Sequence, residues 1–320
     1  MSRSAELRLM TKIARLYYEQ GLRQQAITDR LSIHQSTISR LLKRARSEGV
    51  VRISVAIPNG VFTEMEQALE ERYGIQEAVV VDTLNHEENI ARDLGTAAAF
   101  WIETRLKPGM VIGISSWSRS LIAMLDSLHQ NDQGRDGTVV QILGGVGNTG
   151  SQYHANRLAH DLASRIKATP ILLQAPAVVA TAGARDVLSR DPAVKVVSNL
   201  FKKLDVALVG VGAVQPSSLL ASSGNVFSVA ELKKMQALGA VGDICLRFFD
   251  AQGAPIKSTL MDRVIGIDLP TLKKAKTVVG IAGGGRKLPA IHAALLGGWI
   301  NVLITDRHTA EQLLSHKDKA

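Results

Sequence analysis

The sequence predicts an α/β protein that joins a small N-terminal helix-turn-helix domain to a larger domain with a doubly wound, mostly parallel sheet. Three observations predict this fold class. The chain has 320 residues, which fits two domains better than one. Residues 5–49 have the apolar spacing of three short helices, and beyond them short apolar runs alternate with helical stretches. We therefore expect a helix-turn-helix domain at 1–57, a linker helix at 58–76 and an α/β domain at 77–320.

The three N-terminal helices are indicated by apolar residues at helical spacing and by the breaks between them. The first helix is expected to end near Gly21, the second to cover about 24–31, and the third to cover about 35–47. Gly49 then stands where a C-terminal cap is expected. The predicted inner positions are Met10, Ile13, Ala14, Tyr17, Ile27, Leu31, Ile38, Leu41, Leu42 and Ala45. Such spacing around a tight turn lets two helices pack nearly perpendicular to each other, as in a helix-turn-helix.

Alternating strands and helices are predicted for the larger domain, after a strand at 50–57 and a helical connector at 61–73. The predicted strands are 78–81, 110–114, 139–143, 171–173, 206–211, 278–281 and 302–305. The predicted helices between them are 88–105, 120–130, 152–167, 193–203 and 288–296. This alternation is typical of βαβ units whose helices cover both faces of a parallel sheet. Two further segments, 246–249 and 264–267, are predicted to pair with each other as antiparallel strands.

The net charge of +9 is concentrated at the N-terminus. Residues 1–57 contain 11 Lys and Arg and 4 Asp and Glu, a net charge of +7. The other 263 residues contain 27 and 25, a net charge of +2. A compact basic segment beside a nearly neutral one indicates a module that binds a polyanion and a larger module with another task.

The outward face of the third predicted helix carries residue types that contact DNA. Short polar side chains near a helix N-terminus can reach base edges in the major groove, and Arg and Lys further along can contact phosphates or guanine. The predicted DNA-contacting residues are Gln35, Ser36, Thr37, Ser39, Arg40, Lys43, Arg44 and Arg46. The alternative is a basic solvated helix, but the apolar spacing, the turn and the local charge together favour DNA. Thr28 and Ser32 depart from the usual pattern, which commonly has Ala and a left-handed Gly at those positions.

Composition excludes several other classes of protein. Hydrophobic residues make up 46% and charged residues 21%, which is too apolar for a disordered chain. No run approaches the roughly 18–20 apolar residues of a membrane helix, and the N-terminus lacks the apolar core of a signal peptide. We therefore expect a cytoplasmic protein with no membrane partner. The single cysteine, Cys245, rules out an intrachain disulfide and argues against a cysteine-based zinc site, so no metal and no cofactor are expected.

Short motifs occur along most of the chain in a characteristic order. They are STISRLLKRAR (36–46), GVV (49–51), GISSWSRSL (113–121), LGGVGN (143–148), QAP (174–176), VGVG (209–212), GAVGD (239–243), AGGGRK (282–287) and LITD (303–306). Each motif alone is weak, but their order and spacing are specific. In these motifs the chain resembles the SorC-type bacterial transcription regulators, which join a helix-turn-helix to a sugar- or sugar-phosphate-sensing domain. The resemblance implies a body fold similar to sugar-phosphate isomerases and deaminases, operator DNA as a partner, a small carbohydrate effector, and a homodimer or homotetramer.

The effector site is expected beyond the carboxyl ends of the parallel strands, where ligands bind in such sheets. The predicted effector-binding residues are Ser115, Ser116, Trp117, Ser118, Arg119, Ser120, Gly144, Gly145, Asn148, His154, Asn156, Gln174, Asp243, Gly284, Lys287 and Asp306. Between 115 and 120 the hydroxyls and the amides of a helix start suit a phosphate or several sugar hydroxyls. Trp117 could stack on a sugar ring, and Arg119 could pair with an anion. The alternative for this segment is a capped helix start with a half-buried Trp117.

The remaining candidates have structural alternatives of their own. The glycine clusters allow close approach of a ligand to the backbone, but glycine also serves plain turns. Asp243 and Asp306 end predicted strands and could accept sugar hydroxyls, although Asp306 could equally cap the following helix. The resemblance implies that Lys287 corresponds to a basic residue on a phosphate, and that His154 and Asn156 hold the effector, although a solitary histidine is also often structural.

One departure from the family pattern bears on the ligand. Some relatives carry Arg or Lys immediately before the paired glycines, where it meets a phosphate or an aldehyde carbon. This chain has Leu143 at that position. Covalent capture of an aldehyde from this position is therefore excluded, and a neutral sugar or polyol gains weight against a phosphorylated effector.

Two enzyme hypotheses compete with a regulator. The first is a sugar-phosphate isomerase or deaminase, because the body resembles that fold, but fold analogy alone does not give chemistry. Such catalysis needs a positioned carboxylate base near a ring-opening acid, and no convincing Asp, His and Glu cluster lies in one glycine-rich loop. The second is a nicotinamide-binding oxidoreductase, which the glycines at 280–285 could indicate. Their spacing is not G-x-G-x-x-G, and they lie near the end of the chain instead of opening a domain.

Overall fold

The chain divides into two compact units, Met1–Pro58 and Asn59–Ala320. The computed structural model describes residues 3–51, 60–83, 87–146, 149–215 and 227–316, without the side chains of 149–155. Most of the strand predicted at 50–57, the residue Asn148 and the side chain of His154 therefore lie outside the described part.

Three α-helices form the first unit, as predicted. They are α1 (Arg3–Ala14), α2 (Gln24–Leu31) and α3 (Gln35–Ser47), and a π-helical turn continues α1. Their apolar inner faces pack into one core, in which Ile13, Ile27 and Ile38 are fully buried. Between α2 and α3, Ser32 adopts the left-handed conformation with φ 53° and ψ 42°. The chain thus makes with serine the turn for which the helix-turn-helix pattern commonly uses glycine.

A seven-stranded parallel sheet of order β1-β10-β9-β5-β2-β3-β4 forms the centre of the second unit. Three further strands, β6 to β8, form a small antiparallel sheet. In chain order the strands are β1 (Glu77–Val81), β2 (Val111–Ile114), β3 (Thr138–Gln141), β4 (Thr169–Ile171), β5 (Val206–Val209), β6 (Gly212–Ala213), β7 (Gly242–Ile244), β8 (Arg247–Phe249), β9 (Thr277–Ile281) and β10 (Val302–Asp306). All seven predicted strands of the larger domain belong to the parallel sheet, which confirms the predicted fold class.

Helices cover both faces of this sheet. They are α4 (Thr63–Tyr73), α5 (Glu87–Glu103), α6 (Arg119–Ser127), α7 (Thr149–Ile166), α8 (Ala182–Arg190), α9 (Pro192–Leu200), α10 (Val229–Ala237), α11 (Leu269–Leu272), α12 (Leu288–Leu296) and α13 (Arg307–Ser315). Successive strand residues point to opposite faces, so Leu303 joins one core with Leu69 of α4, while Ile304 joins another with Leu94 of α5. Within the described ranges, none of the helices is long and apolar enough to cross a membrane.

The sequence did not predict α8 and α10. Helix α8 has no buried residue, and α10 buries only Met235. An apolar stripe is the signal on which helix prediction rests, and neither helix carries a strong one.

Helix α4 lies where a linker helix is expected, and it is packed into the second unit. Its Leu69 is fully buried in the core. At its C-terminal end, the Arg72 guanidinium donates to the carbonyl oxygen of Leu314 at 2.7 Å, and the Tyr73 hydroxyl donates to that of Leu313 at 3.1 Å. The helix is therefore held by both the core and α13.

The predicted antiparallel pairing of 246–249 with 264–267 is wrong. Strand β8 pairs with β7 instead, through a tight turn in which Cys245 and Leu246 both have positive φ, 52° and 59°. Two-residue hairpin turns of this kind normally carry Asn or Gly, so the sequence gave no turn signal. In the other segment, Val264 and Gly266 form isolated bridges to Val178 and Leu143.

Candidate functional site

A cavity of about 250 Å³ lies at the carboxyl ends of three adjacent strands, β2, β5 and β9. The chain runs from β2 to β3 and β4 on one side of the sheet, and from β5 to β9 and β10 on the other. The connections therefore reverse direction between β2 and β5, and ligands of doubly wound sheets bind at such a switch point. The cavity is lined by Glu87, Ile90, Ala91, Ser115, Ser116, Trp117, Ser118, Arg119, Ser120, Leu143, Gly210, Val211, Gly212, Ala213, Gln215, Asp243, Cys245, Leu246, Gly283, Gly284, Gly285, Arg286 and Lys287.

The predicted segment 115–120 lines the cavity as a whole, at the start of α6. Two of its hydroxyls are used by the chain itself. Ser118 caps α6 by accepting from the backbone N–H of Leu121, at 3.3 Å. Ser116 donates to the carbonyl oxygen of Leu143 at 3.1 Å and accepts from the side-chain amide of Gln141 at 3.3 Å. These bonds fix the backbone of the turn and leave Ser115 and Ser120 as the candidate hydroxyl contacts.

Trp117 is held in a strained backbone conformation at the cavity wall. Its φ is +66°, which is uncommon for a bulky residue, and its side chain is only 6% exposed. The indole Nε1–H is buried and finds no acceptor among the residues that the structure describes. A buried donor without a partner is costly, so this N–H is a group that a ligand oxygen could satisfy.

An acid between two guanidiniums forms the rim of the cavity. Glu87 accepts from Arg119 at 2.9 Å and from Arg286 at 3.3 Å. Burial acts to raise the pKa of Glu87, but the charges of Arg286 and Arg119 outweigh it and hold the pKa below its ordinary value. Glu87 therefore stays ionised and orients two cations beside the cavity.

A buried acid and a buried base face the interior. Asp243 accepts from the backbone N–H of Leu246 at 2.9 Å, and a Cβ on Gly212 would lie only 2.2 Å from its carboxylate. Burial raises the pKa of Asp243 to about 6, although the N–H of Leu246 and the charge of Lys287 both act to lower it. Desolvation lowers the pKa of Lys287, as do Arg286 and Arg119, against the opposing effect of Asp243. Within the described residues, the Lys287 ammonium forms no hydrogen bond or salt bridge.

Asp306 supports the cavity from behind, which corrects its assignment as an effector contact. It is fully buried, and its Oδ1 accepts from the backbone N–H of Thr309 at 2.9 Å. Its Oδ2 accepts from the Thr309 hydroxyl at 2.6 Å and from the backbone N–H of Gly284 at 2.7 Å. Asp306 thus caps α13 and holds the glycine loop that carries Lys287.

Four other predicted effector residues do not line this cavity. Gly144 allows close approach of the chain's own backbone, because a Cβ there would lie 2.4 Å from the carbonyl oxygen of Pro176. Gly145 donates its N–H to the carbonyl oxygen of Ala175 at 2.9 Å. The remaining two are Gln174, which is exposed, and Asn156, which is half-buried.

Several lining residues were missed by the sequence analysis, above all Glu87 and Arg286. Arg286 lies beside Lys287 in a recognised motif, so its position could have indicated it. Glu87 lies 199 residues from Arg286 in sequence, and no local pattern connects the two. The described residues contain no group of three or more His, Cys, Asp or Glu that could hold a metal ion.

The first unit presents the predicted polar face of α3. Six of the eight predicted DNA-contacting residues are exposed, namely Gln35, Ser36, Ser39, Arg40, Lys43 and Arg46, while Thr37 and Arg44 are half-buried. The buried face of the same helix consists of Ile38, Leu41, Leu42 and Ala45. The helix therefore has one face in the core and one polar, basic face available to a partner.

Two of the predicted DNA contacts also hold the unit together. Arg44 bridges helices, because it pairs with Glu48 at 2.7 Å and with Glu6 of α1. The guanidinium of Arg46 donates to the Tyr18 hydroxyl at 2.7 Å and lies 5.5 Å from the centre of that ring. Arg40 and Lys43 are the cations of this face that form no such contact within the described residues.

Comparison with known proteins places the chain in a family. A sequence model of a sugar-binding domain family matches residues 59–315, and a homeodomain-like domain model matches residues 2–52. The sorbitol operon regulator of Klebsiella pneumoniae is 36% identical over 318 residues, which are 98% of this chain and 100% of that protein. The chain belongs to the SorC-type family of sugar-binding transcription regulators. Full coverage on both sides shows that the SorC-type resemblance extends over both units.

Further SorC-type relatives agree. The deoxyribonucleoside regulator of Bacillus subtilis (strain 168) is 34% identical over 310 residues, 96% of this chain and 97% of that protein. The crystal structure of the full-length sorbitol operon regulator SorC from Klebsiella pneumoniae covers 97% of this chain and 100% of its own, with a TM-score of 0.72 and 34% identity. These relatives are named as regulators and none as an enzyme, which supports a regulator over the isomerase, deaminase and oxidoreductase hypotheses.

Proposed function

We propose that this chain regulates transcription of a carbohydrate-catabolism operon, and that a small carbohydrate bound in the cavity switches its affinity for operator DNA. The observation that carries the proposal is the combination of two sites in one chain. One is the exposed polar face of α3, with the free cations Arg40 and Lys43. The other is the cavity at the switch point of the sheet, with Asp243 and Lys287 inside it. The named operons of the SorC-type relatives support a carbohydrate as effector.

The charges of the cavity favour a carbohydrate with an anionic group over a neutral sugar or polyol. Three cations, Arg119, Arg286 and Lys287, line it against two carboxylates, Glu87 and Asp243. Phosphate oxygens accept strong hydrogen bonds from such cations, while a carboxylate accepts from sugar hydroxyls. The sequence analysis gave weight to a neutral ligand because of Leu143, and the position of Arg286 shifts that weight back towards a sugar phosphate.

The division of labour that we propose follows the two units. Residues 1–57 bind DNA, 58–76 connect, and 77–320 bind the effector and assemble the chain into a homodimer or homotetramer in the cytoplasm. In such an assembly, paired heads read two half-sites of an operator. The effector favours one arrangement of protomers and so changes operator affinity by population shift.

A thermal-shift screen of sugars, polyols and their phosphates tests the effector half of the proposal. A ligand at 100 times its dissociation constant adds roughly 2.7 kcal/mol to the free energy of unfolding, which is easily detected. We expect sugar phosphates to give the largest shifts. The same ligand should then change the affinity of the full chain for an operator selected from random duplexes.

Matched variants locate the binding site. Lys287→Gln and Asp243→Asn should reduce the ligand-induced shift, because each removes a group that lines the cavity. Lys274→Gln removes one positive charge from an exposed position outside the cavity and should leave the shift unchanged. A shift that persists in both cavity variants would place the effector elsewhere, and turnover of a pentose or hexose phosphate that is lost in Asp243→Asn would contradict the proposed function.

A further inference from the structure

A second basic surface of the first unit lies along α1. It is an open groove of about 830 Å³, which we call the α1 groove. The residues that line it are Arg3, Ser4, Leu7, Arg8, Thr11, Lys12, Arg15, Leu16, Gln20 and Arg30. Five of these ten residues are cations and none is an acid. The α1 groove shares no residue with the predicted DNA-contacting face of α3.

Most cations of the α1 groove have no counter-charge in the protein. Arg15 pairs with Glu19 at 2.8 Å. The other four, Arg3, Arg8, Lys12 and Arg30, form no hydrogen bond or salt bridge with any residue in the described part of the chain, and all four are exposed. On helices of the second unit, by contrast, cations are paired at the same spacing, as in Arg307–Glu311 at 2.8 Å.

The spacing of these cations is unfavourable unless an anion binds. Arg8 and Lys12 are four residues apart on α1, and like charges at this spacing repel each other and destabilise a helix. From Arg3 to Arg15 the helix axis rises about 18 Å, roughly the axial length of five successive phosphates of one DNA strand. The α1 groove therefore matches an extended polyanion better than a single small anion.

The position of the α1 groove in the first unit places it beside the recognition helix. Arg30 belongs to the last turn of α2, five residues before Gln35, which begins α3. On its other face, α1 is tied directly to α3 by the ion pair between Glu6 and Arg44. A duplex that meets the start of α3 therefore extends past a row of unpaired cations on the same rigid unit.

We propose that the α1 groove is a second DNA contact, which binds phosphates of the duplex beside the site entered by α3. This inference rests on the proposed DNA-binding function of the first unit and extends it, because it assigns backbone affinity to α1 and base contacts to α3. Phosphate contacts position a protein on DNA without reading sequence. The α1 groove should therefore contribute equally to binding of any duplex.

The salt dependence of binding to a duplex of arbitrary sequence tests the proposal directly. The test uses the full chain and a labelled 30-base-pair duplex, with affinity measured by fluorescence anisotropy between 50 and 200 mM KCl. Each phosphate contact adds about 0.9 to the slope of log affinity against log salt. The double variant Arg8→Gln/Lys12→Gln should therefore lower the slope by about 1.8 for each bound head. The affinity lost across this salt range should accordingly shrink by roughly 12-fold.

Two further double variants make the result decisive. Lys233→Gln/Lys234→Gln removes the same two charges from exposed positions on α10 of the second unit, and its slope should stay at the wild-type value. Arg40→Gln/Lys43→Gln should lower the slope through α3. If the α1 variant matches wild type while the α3 variant does not, the α1 groove is no DNA contact and the proposed function stands. If neither changes the slope, the proposed function fails as well.

Loss of folding cannot be mistaken for loss of a contact in this experiment. Gln has nearly the same helix propensity as Lys and Arg, and removing a repulsive pair should not lower the melting temperature. A second variant, Arg3→Gln/Arg30→Gln, changes two other cations of the α1 groove and should lower the slope by the same amount. A slope that falls equally in this variant and in the α10 control would show only an effect of net charge and would overturn the proposal.

Discussion

Replacing Asp243 by asparagine should remove a pH dependence from effector binding. Burial raises the pKa of Asp243 to about 6, so at pH 5 only about one carboxylate in eleven is ionised, against nearly all at pH 8. If sugar hydroxyls donate to the ionised carboxylate, effector affinity should fall by about tenfold from pH 8 to pH 5, or about 1.4 kcal/mol. The Asp243→Asn variant should bind roughly 10- to 150-fold more weakly at pH 8, because it loses a charged acceptor worth about 1.5–3 kcal/mol.

Calorimetric titration of wild type and Asp243→Asn from pH 5 to pH 8 makes this measurement, with the strongest ligand from the thermal-shift screen. A phosphorylated ligand titrates near pH 6 itself, but it does so equally in both proteins. The difference between the two profiles therefore reports Asp243. Parallel profiles would refute the reasoning, since they would show that the ionised carboxylate takes no part in binding.

The same substitution should have the opposite effect on the stability of the ligand-free protein. Because the pKa of Asp243 is raised on folding, the folded chain holds this proton to higher pH than the unfolded chain does. Wild type should therefore lose stability as the pH rises from about 4 to about 6, by roughly 1–3 kcal/mol. Asp243→Asn should be the more stable protein at pH 8 in chemical denaturation. A variant that is less stable at pH 8 would contradict the burial of charge at this position.

The remaining predictions concern the separation of the two sites and their support. Arg40→Ala should weaken operator binding at least tenfold, about 1.4 kcal/mol, and leave effector binding intact, whereas Lys287→Ala should do the reverse; equal damage to both functions in either folded variant would contradict the division of labour. Arg44→Ala should lower the free energy of unfolding of the first unit by roughly 1 kcal/mol, because its two ion pairs are half-exposed, and a melting curve equal to wild type would contradict this. Asp306→Ala should cost roughly 2–4 kcal/mol, since it leaves buried donors of Gly284 and the following helix unsatisfied, and it should also weaken effector binding measured by titration.

The sequence predicted the elements whose apolar pattern is strong. All seven strands of the parallel sheet were placed, because their buried runs stand out between helical stretches. Helix α8 was missed, because none of its residues is buried and it has no apolar stripe to detect. The partner of β8 was assigned wrongly, because Cys245 and Leu246 make the hairpin turn without Gly or Asn.

The cavity was predicted in part for a similar reason. Motifs that follow strands, such as 115–120 and the loop carrying Lys287, were placed at the cavity by the general rule for parallel sheets. Glu87 was missed, since its role depends on tertiary contacts with Arg119 and Arg286 that leave no local trace. Gly144 and Asp306 are chemically suited to a ligand, but the fold uses them for backbone packing and helix capping.

The central claim is that the cavity and the DNA-binding face of α3 are coupled. The most direct test is the affinity of the full chain for a selected operator, measured with and without saturating effector, in wild type and in Lys287→Gln. Allosteric coupling free energies of about 1–3 kcal/mol correspond to about 5- to 150-fold. The account predicts a change of that size in wild type, in either direction, and a much smaller change in the variant at the same effector concentration. An unchanged operator affinity while the cavity is saturated would contradict it.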